Sequence, residues 1–174
     1  MAEFDPVATL RVLTAHEVDF VIVGGVAARL RGAPILTQDV DVTPAMNERN
    51  LANLAEALEE LDARLRTKPE PDGVRFPFDP HLLQSANDWT MVTRYGDLDL
   101  VISPAGTAGY PDLIRDADEL LVAVDPDLRV MVASLVDVIR SKQAAGREKD
   151  LASLPLLRRT LTRLDDGRAN PPPR

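Results

Sequence analysis

The chain has 174 residues, 45% of them hydrophobic, a formal net charge of −8 and no cysteine. That length can bury a sizeable core, no stretch reaches the roughly 18 apolar residues of a membrane span, and a cysteine-free chain carries neither a disulfide scaffold nor a thiolate zinc site. The acidic balance argues against broad, sequence-blind nucleic-acid binding, which runs on basic surface.

The N-terminal MAEFDPVATL lacks the positive flank and apolar run of a signal peptide, so a cytoplasmic protein is expected. Asp5-Pro6 reads as an N-cap followed by proline at the first helical position, opening a helix over 7–15. Residues 19–23 form a strand candidate ending in Gly24-Gly25, and 26–31 read as a short helix stopped near Gly32 and Pro34. Free N–H groups beside two glycines, with no Cβ in the way, suit a phosphate.

The segment 35–38 crosses to a second strand over 39–43, which carries Asp39 and Asp41. Alternate residues of a strand share a face, so these carboxylates lie about 7 Å apart on one side. Carboxylates that close repel each other unless a cation sits between them. Oxygen-only ligands favour Mg²⁺, with Mn²⁺ as the substitute, shared with a phosphate-bearing substrate. A phosphate cradle and a metal pair fourteen residues apart imply a nucleoside triphosphate (NTP).

Asn47 is placed to cap a long helix reaching about residue 65, with Leu51, Leu54, Leu58, Leu61 and Leu65 on one face. Residues 67–80 hold four prolines and a glycine and read as a loop. One or two helical turns follow over 82–87, then strands over 90–95 and 97–102 joined at Gly96. Trp89 reads as a core anchor. The second of these strands presents Asp97 and Asp99 on one face. Asp99, in the strand body, is the expected third carboxylate, and Asp97 is expected to cap the turn. Two carboxylates hold metal while the third orients or deprotonates an attacking hydroxyl.

A short helix is expected at Tyr110-Pro111-Asp112-Leu113, then small strands over 120–124 and 128–131. Ser134 caps a helix to about Ala145, on which Lys142 shares the inward face of Leu135, Val138 and Ile139. A buried ammonium requires a partner, either a substrate phosphate or a carboxylate. A last helix runs from about Arg147 to Leu164, with Pro155 expected to kink it or to start a new one. Nine basic residues, Arg29, Arg31, Arg64, Arg66, Lys68, Arg140, Lys142, Arg147 and Lys149, are candidates to gather at one cleft. The expected organisation is one domain over 1–166 and a disordered, proline-rich tail at 167–174.

Three groups of residues together resemble a known family. They are Gly24-Gly25-x-Ala27 with Gly32-x-Pro34-x-x-Thr37-x-Asp39-x-Asp41, then Gly96-x-Leu98-Asp99-Leu100, then Lys142-x-x-Ala145-Gly146-Arg147-x-Lys149-Asp150-Leu151. The pattern resembles the AbiEii and MenT-like nucleotidyltransferases of the DNA polymerase β superfamily, which include toxins of toxin–antitoxin systems. The resemblance implies an α/β (α+β) nucleotidyltransferase fold, a small mixed sheet flanked by helices with further helices at the C-terminus. It implies that Asp39, Asp41 and Asp99 hold metal, that Gly24, Gly25 and Thr37 belong to the nucleotide site, and that Lys142 steadies the phosphates with Asp150 holding it. It implies transfer of a nucleotide, often a pyrimidine one, to the 3′ end of tRNA, with a cognate antitoxin as partner. Gly25 stands where related sequences often carry serine. Arg31-Gly32 and Ile35 stand where many carry His-Gly and an arginine, and Arg29 or Arg31 is the expected replacement for that arginine.

The same core could instead transfer a nucleotide to a protein hydroxyl, as an antitoxin that modifies its partner would, or to a small molecule such as an aminoglycoside. A non-catalytic interaction module that keeps the fold is the reading of a different class.

Overall fold

The computed structural model describes residues 4–169. Helix α1 (Pro6–Ala15) opens as its sequence dictates, with the Asp5 carboxylate accepting the Ala8 N–H at 2.9 Å and Pro6 in the first turn. Strand β1 (Phe20–Val23) is buried throughout and runs straight into helix α2 (Gly24–Leu30). Strand β2 (Asp39–Pro44) follows, burying Val40 and Val42 on one face and presenting Asp39 and Asp41 on the other.

Helix α3 (Glu48–Glu60) is capped by Asn47 and buries Leu51, Leu54 and Leu58. It ends five residues before the leucine spacing predicts. Asp62 takes a left-handed backbone at φ 49°, and the Ala63 N–H closes back onto the Leu58 carbonyl at 3.0 Å. Aspartate tolerates that conformation better than most residues. Leu65 then lies in strand β3 (Arg64–Leu65), opposite Met91 of β5 (Asp88–Thr93), so the last apolar residue of the apparent helical stripe belongs to the sheet.

The segment expected as a plain loop contains strand β4 (Val74–Arg75), and Phe76 and Phe78 pack on Trp89 with ring centroids 5.5 and 6.1 Å away. Helix α4 (Pro80–Leu83) is capped by Asp79, slightly ahead of its expected place. Strand β6 (Gly96–Val101) pairs with β5 around a turn at Arg94 and Tyr95. The rest comprises α5 (Tyr110–Leu113), β7 (Asp118–Ala123), β8 (Leu128–Val132), α6 (Leu135–Ala145) and α7 (Glu148–Ala169). Ser134 caps α6, and Gly146 ends it at φ 63°. Pro155 lies within α7 and does not start a new helix. Residues 167–169 of the expected tail continue α7, and 170–174 lie outside the described residues.

The eight strands form one mixed sheet in the order β4-β3-β5-β6-β2-β1-β8-β7. Strands β2 and β6 are parallel, as are β1 and β8; the remaining neighbours are antiparallel. Helices flank this sheet and a helical segment closes the chain, with α2 packed on β1, β2 and α6, and α6 on α7. Buried Asn50 ties α3 to the sheet, accepting the Asp19 N–H and donating to the Asp19 and Ala45 carbonyls. None of the helices among the described residues is long and apolar enough to cross a membrane.

Candidate active site

The parallel register of β2 on β6 sets Asp39 beside Asp97 and Asp41 beside Asp99. Laterally paired residues share a face, so four carboxylates leave the same side of two adjacent strands. Three of them, Asp39, Asp41 and Asp99, bring one oxygen each within 4.8 Å of the others.

Each is held by its surroundings. The Thr37 hydroxyl donates to Asp39 Oδ1 at 2.7 Å, fixing the first carboxylate from the loop that precedes β2. Gly24 leaves room for the second: a Cβ there would stand 2.0 Å from Asp41 Oδ2, and its φ of 61° also suits glycine. Gly25 lies as close to Thr37, where an added Cβ would come within 2.7 Å of Oγ1. The glycine pair is thus required first by the approach of Asp41 and Thr37, a constraint the phosphate reading of the sequence did not contain. The Thr90 hydroxyl bonds Asp99 from across the β5–β6 ladder.

Burial and mutual repulsion raise two of these acids. Burial, then the charges of Asp39 and Asp99, push Asp41 up to about 7, against a smaller pull from the Gly25 N–H and Lys142. Burial and the Asp39 charge push Asp99 to about 6, and Asp97 adds to this while Thr90 and Arg66 oppose it. Asp99 Oδ1 is buried and has no hydrogen-bond partner. An orphaned carboxylate oxygen aimed into a cluster of acids is the donor set that a hard divalent cation satisfies. The residues present therefore fit Mg²⁺.

The same cleft is reached by a basic corner where α6 meets α7. Asp150, only 1% exposed, accepts Lys142 Nζ at 2.9 Å on one oxygen and Arg147 Nε at 2.6 Å on the other. Burial alone would raise Asp150; the hydrogen bonds from Arg147 and Lys142 outweigh it and hold the group below its ordinary value. The left-handed Gly146 turns the chain so that residues on both sides of the corner reach one carboxylate. One cleft of about 830 Å³ is lined both by Gly24, Gly25, Thr37, Asp39, Asp41 and Asp99 and by Lys142, Arg147, Lys149 and Asp150.

All eight residues singled out from the sequence therefore line one cleft. The wider set of nine basic residues does not. Arg31 donates to the Ala133 and Val132 carbonyls at 3.0 and 2.6 Å and pairs with Asp118, stapling α2 to the β8 side of the sheet. Arg29 is exposed on α2 away from the cleft lining, so neither replaces the arginine missing at Ile35. Arg64 pairs with Asp62, and Arg140 with Asp112 and Asp137. Asp97 does not cap the β5–β6 turn. Thr93 closes it, donating to the Gly96 carbonyl and accepting the Tyr95 N–H, while Asp97 pairs with Arg66.

Thr90 was missed in the sequence, although counting back from a two-residue turn at 94–95 pairs it with Asp99. In the sequence Arg66 is one cation among nine, because the leucine spacing hides β3 inside an apparent helix.

No family model matches the sequence, and no curated protein matches it. Solved structures do. The antibiotic-resistance factor ANT(2″)-Ia, described as having substrate-regulated conformational dynamics, superposes with a TM-score of 0.53 at 17% identity, covering 88% of this chain and 83% of its own. A protein of Thermotoga maritima, described as a candidate nucleotidyltransferase, superposes with a TM-score of 0.50 at 13% identity, covering 85% of this chain and 86% of its own. At such identities the likeness concerns the backbone alone: the chain has a nucleotidyltransferase-like fold, a mixed sheet flanked by helices.

Proposed function

We propose that the protein is a Mg²⁺-dependent nucleotidyltransferase that moves a nucleoside monophosphate from an NTP to an acceptor hydroxyl. The observation that carries this reading is the convergence of Asp39, Asp41 and Asp99, one oxygen from each within 4.8 Å, in a cleft that Lys142 and Arg147 also line.

Asp39, Asp41 and Asp99 would hold the metal, which when bound neutralises phosphate charge and makes the acceptor hydroxyl easier to deprotonate. Asp99, the third carboxylate, would also orient the acceptor hydroxyl and help to take its proton. The new bond joins the acceptor oxygen to the α-phosphorus, the bond from that phosphorus to the β-phosphate bridging oxygen breaks, and pyrophosphate leaves. Lys142 and Arg147 meet the charge of the departing group, held for that purpose by Asp150. Gly24 and Gly25 keep the wall beside Asp41 clear of side chains.

For the acceptor we favour the 3′ end of tRNA, and for the biological role a toxin paired with an antitoxin. Both rest on the three sequence motifs and their resemblance to the AbiEii and MenT-like branch. A second reading, a small polar molecule as acceptor, is favoured by the wall next to Asp99. There the cleft is lined by Asn87, Asp88, Thr90 and Ser103, and no lysine or arginine from 87–105 lines it. RNA phosphates call for basic contacts. The likeness to an antibiotic-resistance factor points the same way.

The test is incubation of purified protein with Mg²⁺ and each α-³²P-labelled NTP, offering total tRNA, candidate partner proteins and small hydroxyl compounds in turn. An Asp41→Ala variant is the control. Label on tRNA that disappears in the variant supports the first acceptor, and the productive NTP names the base. Label on a protein or a small molecule replaces that acceptor. NTP binding without any transfer sinks the enzymatic reading and leaves an interaction module.

A further inference from the structure

The β2–β6 register delivers four carboxylates to one face, yet only three converge. The fourth, Asp97, is the lateral neighbour of Asp39, within side-chain reach of it across adjacent strands. It pairs instead with Arg66. The Arg66 N–H donates to the Thr90 carbonyl at 2.9 Å, which carries the β3–β5 pairing one residue beyond β3. Thr90 in turn faces Asp99, and Asp99 faces Asp41. Arg66, Thr90, Asp99 and Asp41 therefore form a row across four strands on the cleft face.

From that row the guanidinium reaches diagonally and hydrogen-bonds Asp97 Oδ1. Arg66 Nε is buried without a partner, so the fork engages Asp97 at its tip while its stem lies against the sheet. The charges of Asp99 and Asp39 act on the same guanidinium, after Asp97 itself. Arg66 does not line the cleft and so does not meet a substrate there.

We propose that Arg66 is a positioning residue of the acidic site: it withholds Asp97 from the cluster, and its charge limits how tightly a divalent cation binds to Asp39, Asp41 and Asp99. The proposal rests on the metal reading of those three residues. Removing Arg66 takes away one positive charge and frees a fourth carboxylate. Removing Asp97 leaves the guanidinium unopposed beside the site. Removing both restores the original net charge. A unit charge one or two strand spacings from a divalent ion changes its affinity by about fivefold or more even at the dielectric of bulk water.

The experiment is Mn²⁺ binding, followed by the EPR signal of free Mn²⁺, on the whole protein and on Arg66→Gln, Asp97→Asn and the double variant, each checked for folding by thermal melt. We expect Arg66→Gln to tighten Mn²⁺ about fivefold, Asp97→Asn to weaken it by a similar factor, and the double variant to return within about twofold of wild type. An ion pair with a purely structural role would shift melting temperature and leave all three affinities alike, which would overturn the proposal. So would a double variant that tracks Arg66→Gln. Should Arg66→Gln fail to fold, Asp97→Asn decides alone, since unchanged affinity there contradicts the charge mechanism. Wild-type protein that binds Mn²⁺ no better than Asp41→Ala would fail the metal site itself, and is distinguished by needing no Arg66 variant.

Discussion

Asp41 concentrates the electrostatic cost of the site. Its folded-state pKa of about 7, with Asp99 near 6, lies above the ordinary value of 3.8. Between about pH 4 and pH 7 the folded chain therefore holds more protons at these groups than the unfolded chain does. Their contribution to stability falls as pH rises through that window, and the loss is complete above it. A bound divalent cation reverses the penalty by favouring the ionised forms. In EDTA, Asp41→Asn is expected to melt higher than wild type at pH 8 and close to it at pH 4. Mg²⁺ is expected to raise the wild-type melting temperature by about 3 °C or more at pH 8, and to do little for the variant. Differential scanning fluorimetry across pH would check both.

Thr37 makes a second residue-scale test, because it touches Asp39 and leaves the charge of the cluster unchanged. Loss of a group that orients a metal ligand costs roughly 10- to 100-fold in metal affinity. Thr37→Val is expected to weaken Mn²⁺ binding by about tenfold, and Thr37→Ser, which keeps the hydroxyl, to stay near wild type. Calorimetric titration of both variants separates the hydroxyl from the side-chain volume.

At the scale of elements, α7 carries Asp150 into the cleft at its first turn and buries Leu154 and Leu157 further along. Pro155 sits between them, exposed, with no N–H to give to the helix and a ring that crowds the preceding turn. Its cost is not offset by packing. Pro155→Ala is therefore expected to stabilise the protein by about 1–3 kcal/mol, read from urea denaturation, with NTP binding unchanged. The same element shows how closely the acidic and basic halves depend on each other: Lys142 and Arg147 come from opposite sides of Gly146, and a single buried carboxylate holds both.

Across the whole molecule, the net charge of −8 limits what kind of acceptor can be gripped. Lys142, Arg147 and Lys149 are the basic residues at the cleft, and the first two already share Asp150. If tRNA is the acceptor, it is held through few phosphates. The logarithm of its binding constant should then fall with log salt at a slope of about −2 or shallower, whereas a protein with six contacts would give about −5. Fluorescence anisotropy of labelled tRNA from 50 to 200 mM salt, at fixed Mg²⁺, measures that slope. A steep slope would require a basic surface elsewhere on the molecule.

What the sequence by itself determined was local or periodic. Asp5-Pro6, Asn47 and Ser134 announce helix starts because capping is satisfied within three residues. Asp39 and Asp41 share a face because strand side chains alternate, and the same rule puts Asp97 and Asp99 on one face, with Asp99 preferred for its place in the strand body. The tertiary structure decided everything that depends on which strands become neighbours. The leucine stripe of α3 runs into β3 without a break in periodicity, so only the left-handed Asp62 and the pairing of Leu65 with Met91 separate helix from strand. The parallel pairing of β2 with β6 brings Asp99 to Asp41 over 58 residues of chain, and no local pattern encodes it. The partners of the basic residues were equally hidden: Arg31 is bound to carbonyls about a hundred residues away, while Arg66 is held by Asp97. An ion pair is a property of positions in space, and composition can supply the charges without saying where they meet.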